Sequence, residues 1–219
     1  MDLPSEEMEE ILKKLEPNRE GFEADPMGYS ALAWYRWGLA QTIEGFHVDL
    51  TRPPTSEDLN SPVLWLIHAH AMAEAAKHVV MNKPDVSFLP RNLTGVCDSQ
   101  YCAVGLMLVA YSLEIALKAM LVMKKGVPEY IADKKASHHH RLVDLADFVP
   151  GLKTKDRAIL QALSHFSRWA GRYPDPGPGK EKHVQEVFDL TEKHQVTAKE
   201  MFILAARVMG HAKQMADRL

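Results

Sequence analysis

Apolar residues recur at intervals of three and four along nearly the whole chain. No stretch alternates apolar and polar residues over enough positions to predict a strand. The longest apolar segment, 99–125, ends at Gly126 with Pro128 beyond it, which is a strong stop signal for a helix. A second long helix is predicted over 62–81. The chain is therefore predicted to be all-α, folded as an up-and-down helical bundle.

Shorter helices are predicted between these two and the chain ends, over residues 5–15, 27–46, 140–149, 155–170 and 197–218. The last of them opens with a capping box, in which Thr197 is followed three residues later by Glu200. We expect residues 61–219 to form the bundle and residues 1–60 to form an N-terminal helical extension.

Composition and charge narrow the class of protein. A chain with 46% hydrophobic and 25% charged residues is not disordered. The net charge of −3 provides no overall basic field, so any contact with RNA requires a local basic cluster. Two cysteines, Cys97 and Cys102, and an acidic amphipathic N-terminal segment favour a reducing, cytoplasmic location without a signal peptide.

Residues 103–123 approach the length of a membrane span, which needs roughly 20 mainly apolar residues. Glu114 and Lys118 would lie near the centre of that span, where each charge costs about 3 kcal/mol. A buried helix of a bundle is therefore the better interpretation, and no membrane partner is predicted.

Glu114 and Lys118 are four residues apart and so share a helix face, with the acid on the N-terminal side of the base, which is the better orientation. Two interpretations remain open. The pair belongs either to a solvated stripe on an otherwise buried helix, or to a polar cluster that faces a cleft or a dimer interface.

Three segments resemble, in order and spacing, elements of the HEPN family of helical domains. They are YSLEIALKA at 111–119, HRLVDL at 140–145 and GRYP at 171–174. HEPN proteins bind or cut RNA or nucleotides, often in prokaryotic defence and toxin–antitoxin systems. The resemblance implies a helical bundle that forms a homodimer and that binds RNA, a nucleotide or a cognate partner protein.

One departure from that family concerns catalysis. Ribonuclease members carry an Arg, four to six residues and then a His, but no Arg and His of this chain have that spacing. The nearest pairs are Arg157 with His165, separated by seven residues, and Arg207 with His211, separated by three. We therefore expect a binding protein rather than an enzyme. The alternatives are a metal-independent endoribonuclease with a displaced Arg/His pair, and a purely structural interaction module.

The candidate site residues follow from charge and spacing. Arg168 and Arg172 lie four apart near a helix end with Trp169 and Tyr173 interleaved, and basic groups beside aromatic rings can hold a phosphate and stack a base. Cations that stabilise a helix C-terminus are the alternative interpretation. His165 precedes Arg168 by three residues and shares its face. The predicted binding residues are Arg168, Arg172, Tyr173, His140, Glu114 and Lys118.

In the nuclease alternative, Arg172 would hold the scissile phosphate, and His165, or else His140, would transfer the proton. The run His138, His139 and His140 suggests a metal site, but consecutive residues do not converge easily on one ion. No phosphate-binding loop or dinucleotide fingerprint is present. We therefore predict neither a metal nor a cofactor.

Overall fold

In the computed structural model, residues 6–46, 48–133 and 140–218 are described. They divide into two compact units, with the boundary between Asn60 and Ser61. Regular structure throughout these described ranges is helical, without a strand. The predicted all-α helical bundle is confirmed.

The first unit contains five helices within its described residues. They are α1 (Glu6–Leu15), α2 (Arg19–Ala24), α3 (Pro26–Ala31), α4 (Ala33–Ile43) and α5 (Ser56–Leu59). The single helix predicted over 27–46 is wrong in detail, because the chain leaves helical geometry at Leu32, where ψ is 0°. Helix α1 packs against α4.

The second unit contains the long helices α6 (Pro62–Met81) and α7 (Thr94–Lys125). They are followed by α8 (Val127–Ala132), α9 (Leu142–Leu145), α10 (Thr154–His165), α11 (Lys182–His194) and α12 (Ala198–Ala216). A 3₁₀ turn, Arg91–Leu93, leads into α7, and a π-helical turn, Phe166–Ala170, continues α10. Helix α7 begins five residues before its predicted start, α9 is shorter than predicted, and α11 was not predicted.

Helix α7 forms the centre of the second unit, and α6 and α12 both pack along it. Its side chains are apolar on several faces, as expected of a helix surrounded by others. Leu113, Leu117 and Met120 are fully buried. Each such side chain contributes about 1.5–3 kcal/mol relative to its exposed state. Gly126, with φ +79°, ends the helix as its sequence predicts.

Arg91–Lys125 is also long and apolar enough to cross a membrane by length and composition alone. Its most apolar 18-residue window is 61% buried inside the protein. A core helix of a bundle has the same composition, and the burial of this one agrees with that role.

The capping box predicted at the start of the terminal helix, α12, is present. The Glu200 amide donates to Thr197 Oγ1 over 3.3 Å, and the Thr197 amide donates to Glu200 Oε2 over 3.0 Å, which is the predicted capping box. Helix α6 begins with Pro62 in its first turn, but the preceding Ser61 makes no capping hydrogen bond through its side chain.

Gly171, immediately after the π-helical turn, brings that turn into close contact with α7. A Cβ atom at this position would lie 2.3 Å from Met107 Cβ and 3.0 Å from the Ala103 carbonyl oxygen. Its φ of −88° is available to any residue, so space rather than backbone conformation requires glycine here.

We expect Gly171→Ala to lower the free energy of unfolding by about 1–3 kcal/mol, because the added methyl group overpacks a rigid contact. Gly210→Ala is the matched control. Gly210 lies in α12, and a Cβ added there would meet no atom within 4 Å, so alanine should raise stability by about 0.5–1 kcal/mol. Urea unfolding followed by circular dichroism measures both changes. Equal effects at the two positions would contradict the close approach at Gly171.

Candidate functional site

A cavity of about 350 Å³ opens in the second unit, where α7, the segment before α9, the π-helical turn and α11 meet. It brings together four residues predicted from the sequence, His140, His165, Arg168 and Arg172. It is also lined by Tyr111, Ser167, Trp169, Pro176, Lys180 and His183.

The cavity concentrates positive charge. Arg168, Arg172 and Lys180 line it together with three histidines, and none of the described lining residues is acidic. The guanidinium of Arg172 donates from Nη2 to the Arg168 carbonyl oxygen over 2.5 Å, which holds it at the helix end. A guanidinium carries five N–H donors, so this bond leaves donors for a ligand. A protein with a net charge of −3 thus has a local site suited to an anion.

The π-helical turn determines which side chains face the cavity. The Gly171 amide donates to the Phe166 carbonyl oxygen, five residues back, over 3.2 Å. The turn carries Ser167, Arg168 and Trp169, and Tyr111 of α7 donates from its hydroxyl to the Ser167 carbonyl oxygen over 3.0 Å. Turns of this kind occur frequently at functional sites.

His140 reaches the cavity from the segment before α9. The Leu142 amide donates to Ser164 Oγ over 3.0 Å, and the Leu142 side chain is fully buried, so the chain beside His140 is fixed against α10. The imidazole Nδ1 of His140 lies 2.8 Å from Glu114 Oε1. Because a carboxylate accepts, Nδ1–H donates, and Nε2 is left for solvent or a ligand on a side chain that is 57% exposed.

Glu114 and Lys118 are buried, at 6% and 8% exposure, and their side chains form a salt bridge of 2.8 Å. The alternative of a solvated stripe is therefore excluded, and the pair belongs to the polar cluster behind His140. The second carboxylate oxygen, Glu114 Oε2, is buried without a hydrogen-bond partner among the described residues.

Aromatic side chains lie near Glu114. Tyr130 of α8 is buried, and the Trp65 ring packs edge-on against it with centroids 5.8 Å apart. Burial, and then the negative charges of Glu114 and Asp133, raise the pKa of Tyr130 to about 12. Tyr130 is therefore uncharged beside the Glu114 carboxylate.

His165, His183 and Glu186 form a second polar cluster at the cavity wall. His165 Nε2 lies 3.6 Å and His183 Nδ1 lies 3.0 Å from Glu186 Oε2. Trp169 Nε1 donates to His165 Nδ1 over 3.3 Å, and Gln161 Nε2 donates to Glu186 Oε1 over 2.9 Å. This set is the described group of residues whose ligand atoms are close enough to hold a metal ion.

The titration of these groups reflects their surroundings. Burial lowers the pKa of His165, the charge of Glu186 opposes that shift, and the charges of His183 and Arg168 add to it. The hydrogen bond from His183 lowers the pKa of Glu186. At neutral pH, the cluster therefore consists of a carboxylate beside a neutral buried imidazole.

The loop of residues 174–179, PDPGPG, returns the chain to the cavity. Gly177 and Gly179 have φ of +96° and +74°, a conformation that side chains other than glycine rarely adopt. The Gly177 amide donates to Asp175 Oδ1 over 2.7 Å. This turn places Lys180 and the start of α11 beside Arg172.

Tyr173 lies outside the cavity. Its ring is 59% exposed and lines an apolar groove with Cys102, Leu106 and Phe188. The guanidinium carbon of Arg172 lies 5.8 Å from the centroid of the Tyr173 ring, so the two residues are neighbours that line different surfaces. His138 and His139 lie outside the described residues.

The sequence reasoning did not select Lys180, His183 and Glu186. One signal was available, because Val184, Val187 and Phe188 repeat at helical spacing and so indicate a helix after the loop. On that helix, His183 and Glu186 are three residues apart and share a face. Nothing in the sequence places this face opposite His165.

No family model, curated protein or solved structure matches the chain. The resemblance to HEPN domains therefore stays a hypothesis, carried by the three segments quoted above.

Replacing Glu114 should test the buried cluster. We expect Glu114→Leu to lower the free energy of unfolding by about 3 kcal/mol, because it removes the carboxylate that lies 2.8 Å from the buried Lys118 ammonium. Adding Lys118→Met should recover part of that loss, since apolar replacement of both members of a buried pair is often tolerated. Urea unfolding of the single and double variants measures the difference. A double variant less stable than Glu114→Leu would show that the pair does not act as a unit.

Proposed function

We propose that this protein binds a phosphate-bearing nucleotide unit, either free or within a single RNA strand, in the cavity of the second unit. The observation that carries the proposal is the convergence of Arg168, Arg172 and Lys180 on a cavity without a described acidic lining residue. Arginine matches phosphate in charge and in the geometry of its donors.

The size and the walls of the cavity support one nucleotide rather than a duplex. A volume of about 350 Å³ is at the lower end of the range for small-molecule sites. Trp169 and Tyr111 supply aromatic surface beside the cations, and stacking of a base on such surface is largely independent of its sequence. The resemblance to HEPN domains agrees with this ligand class.

Fluorescence anisotropy with a labelled ten-nucleotide single-stranded RNA, competed by nucleoside monophosphates, tests the proposal. We expect Arg172→Ala to weaken binding about tenfold, because it removes a charged donor set from the phosphate. With three cations in contact with phosphate, the logarithm of the association constant should fall with the logarithm of the salt concentration, with a slope of about −2. The slope should be shallower for Arg172→Ala.

Arg157→Ala is the matched control, since Arg157 lies on α10 outside the cavity lining and pairs with Asp147. Its affinity should equal that of the unaltered protein. Equal weakening by both arginine variants, or no binding of RNA or monophosphates by folded protein, would reject the proposal.

A metal-independent endoribonuclease is the second candidate. The observation that favours it is the contact between His140 Nδ1 and Glu114 Oε1 at the cavity. In this alternative, Glu114 fixes the His140 ring through Nδ1, so that Nε2 exchanges a proton with the 2′-hydroxyl or the leaving oxygen. Arg172 stabilises the phosphate charge. His165 suits that role less well, because it is 5% exposed and its two ring nitrogens already lie against Trp169 and Glu186.

RNA cleavage in EDTA decides between binding alone and this alternative. A nuclease of this design should lose about 10²- to 10⁴-fold in rate in His140→Ala. His194→Ala, at the end of α11 and outside the cavity lining, should keep its rate. Undiminished cleavage in His140→Ala would exclude His140 as the proton-transfer group. No cleavage by folded protein would leave the binding function.

A further inference from the structure

We propose that His165, His183 and Glu186 form a binding site for a divalent transition-metal ion of the zinc class at the wall of the cavity. The inference goes beyond the phosphate-binding function and does not depend on it. It also replaces the sequence-based expectation that the chain binds no metal.

The three residues come from two elements fixed against each other. His165 is the last residue of α10, and His183 and Glu186 lie one turn apart near the start of α11. These two helices pack together, and Gln161 of α10 donates to Glu186 of α11 over 2.9 Å. The ligand atoms therefore converge because of tertiary packing.

The distances suit one ion. Two ligand atoms on a tetrahedral zinc ion are about 3.4 Å apart, since each lies about 2.1 Å from the metal. Glu186 Oε2 is 3.6 Å from His165 Nε2 and 3.0 Å from His183 Nδ1, which brackets that value. All three ligand atoms lie within 4.8 Å of one another, and rotation of the half-buried His183 side chain can shorten the remaining separation.

The donor set points to zinc rather than to magnesium or calcium. Two imidazole nitrogens with one carboxylate oxygen are ligands for transition metals, whereas the harder cations prefer oxygen alone. Three protein ligands leave a fourth position open, as in catalytic zinc sites. Because His165 and His183 both line the cavity, that position would open towards it.

The hydrogen bonds around the cluster orient Glu186 for a metal ion, whereas His165 would have to change one of its bonds. The bond from Gln161 occupies Glu186 Oε1 and leaves Oε2 for the ion, an outer contact of the kind that orients metal-bound carboxylates. Metal on His165 Nε2 requires the proton on Nδ1, so the Trp169 N–H must turn away. Its hydrogen bond is 3.3 Å long and correspondingly weak.

Calorimetric titration of chelator-stripped full-length protein with zinc chloride tests the proposal. The background should carry His138→Ala and His139→Ala, because a run of consecutive histidines binds zinc weakly by itself. We expect one zinc ion per chain. His183→Ala and Glu186→Gln should each weaken binding at least tenfold, while His194→Ala, on the same helix, should not change it. Glu186→Gln keeps an oxygen for Gln161, and the His183 side chain is 26% exposed and lies outside the hydrophobic core, so both variants should fold.

Cobalt substitution provides a second readout that a purely structural role would not move. Bound Co²⁺ should give visible absorption bands of a site with nitrogen and oxygen ligands, and those bands should change in Glu186→Gln. Unchanged zinc affinity and unchanged cobalt bands in both variants, or no stoichiometric zinc binding by folded protein, would overturn the proposal.

Discussion

The burial of the Glu114–Lys118 pair in the long, largely apolar helix α7 constrains the residues that pack around it. Taking a charge out of water costs several kcal/mol unless its remaining donors and acceptors find partners. At 6% and 8% exposure the two side chains cannot obtain those partners from bulk solvent. One side of α7 must therefore be polar, and this is the side where His140 contacts the carboxylate and where the cavity opens.

The cavity depends on close packing as much as on charge. The π-helical turn after α10 can approach α7 only because Gly171 lacks a side chain. The Tyr111 hydroxyl then donates to the Ser167 carbonyl oxygen of that turn. That approach directs Arg168 and Trp169 into the same space as His140, which comes from a segment 28 positions earlier in the sequence than Arg168. The site is therefore a product of tertiary contacts between elements that are individually ordinary.

Periodicity and stop signals were sufficient to predict the long helices, because α6 and α7 have strong local signals at Pro62 and Gly126. Helical spacing alone placed His165, Arg168 and Arg172 on one side of the chain. The π-helical turn and the pairing of α10 with α11 were beyond local reasoning. The first depends on the space left by Gly171, and the second on the path of a loop whose glycines could turn in several directions.

The arrangement of charge links the two proposals. Cationic side chains line the cavity, histidines form its wall, and carboxylates lie behind the histidines, Glu114 behind His140 and Glu186 beside His165 and His183. Each carboxylate orients a ring and decides which nitrogen faces outward. An anion in the cavity would meet arginine and lysine, while a metal ion would meet the carboxylate side of the wall. The two ligands would thus attract rather than exclude each other, since a metal at His165 and His183 adds positive charge to a site already suited to phosphate.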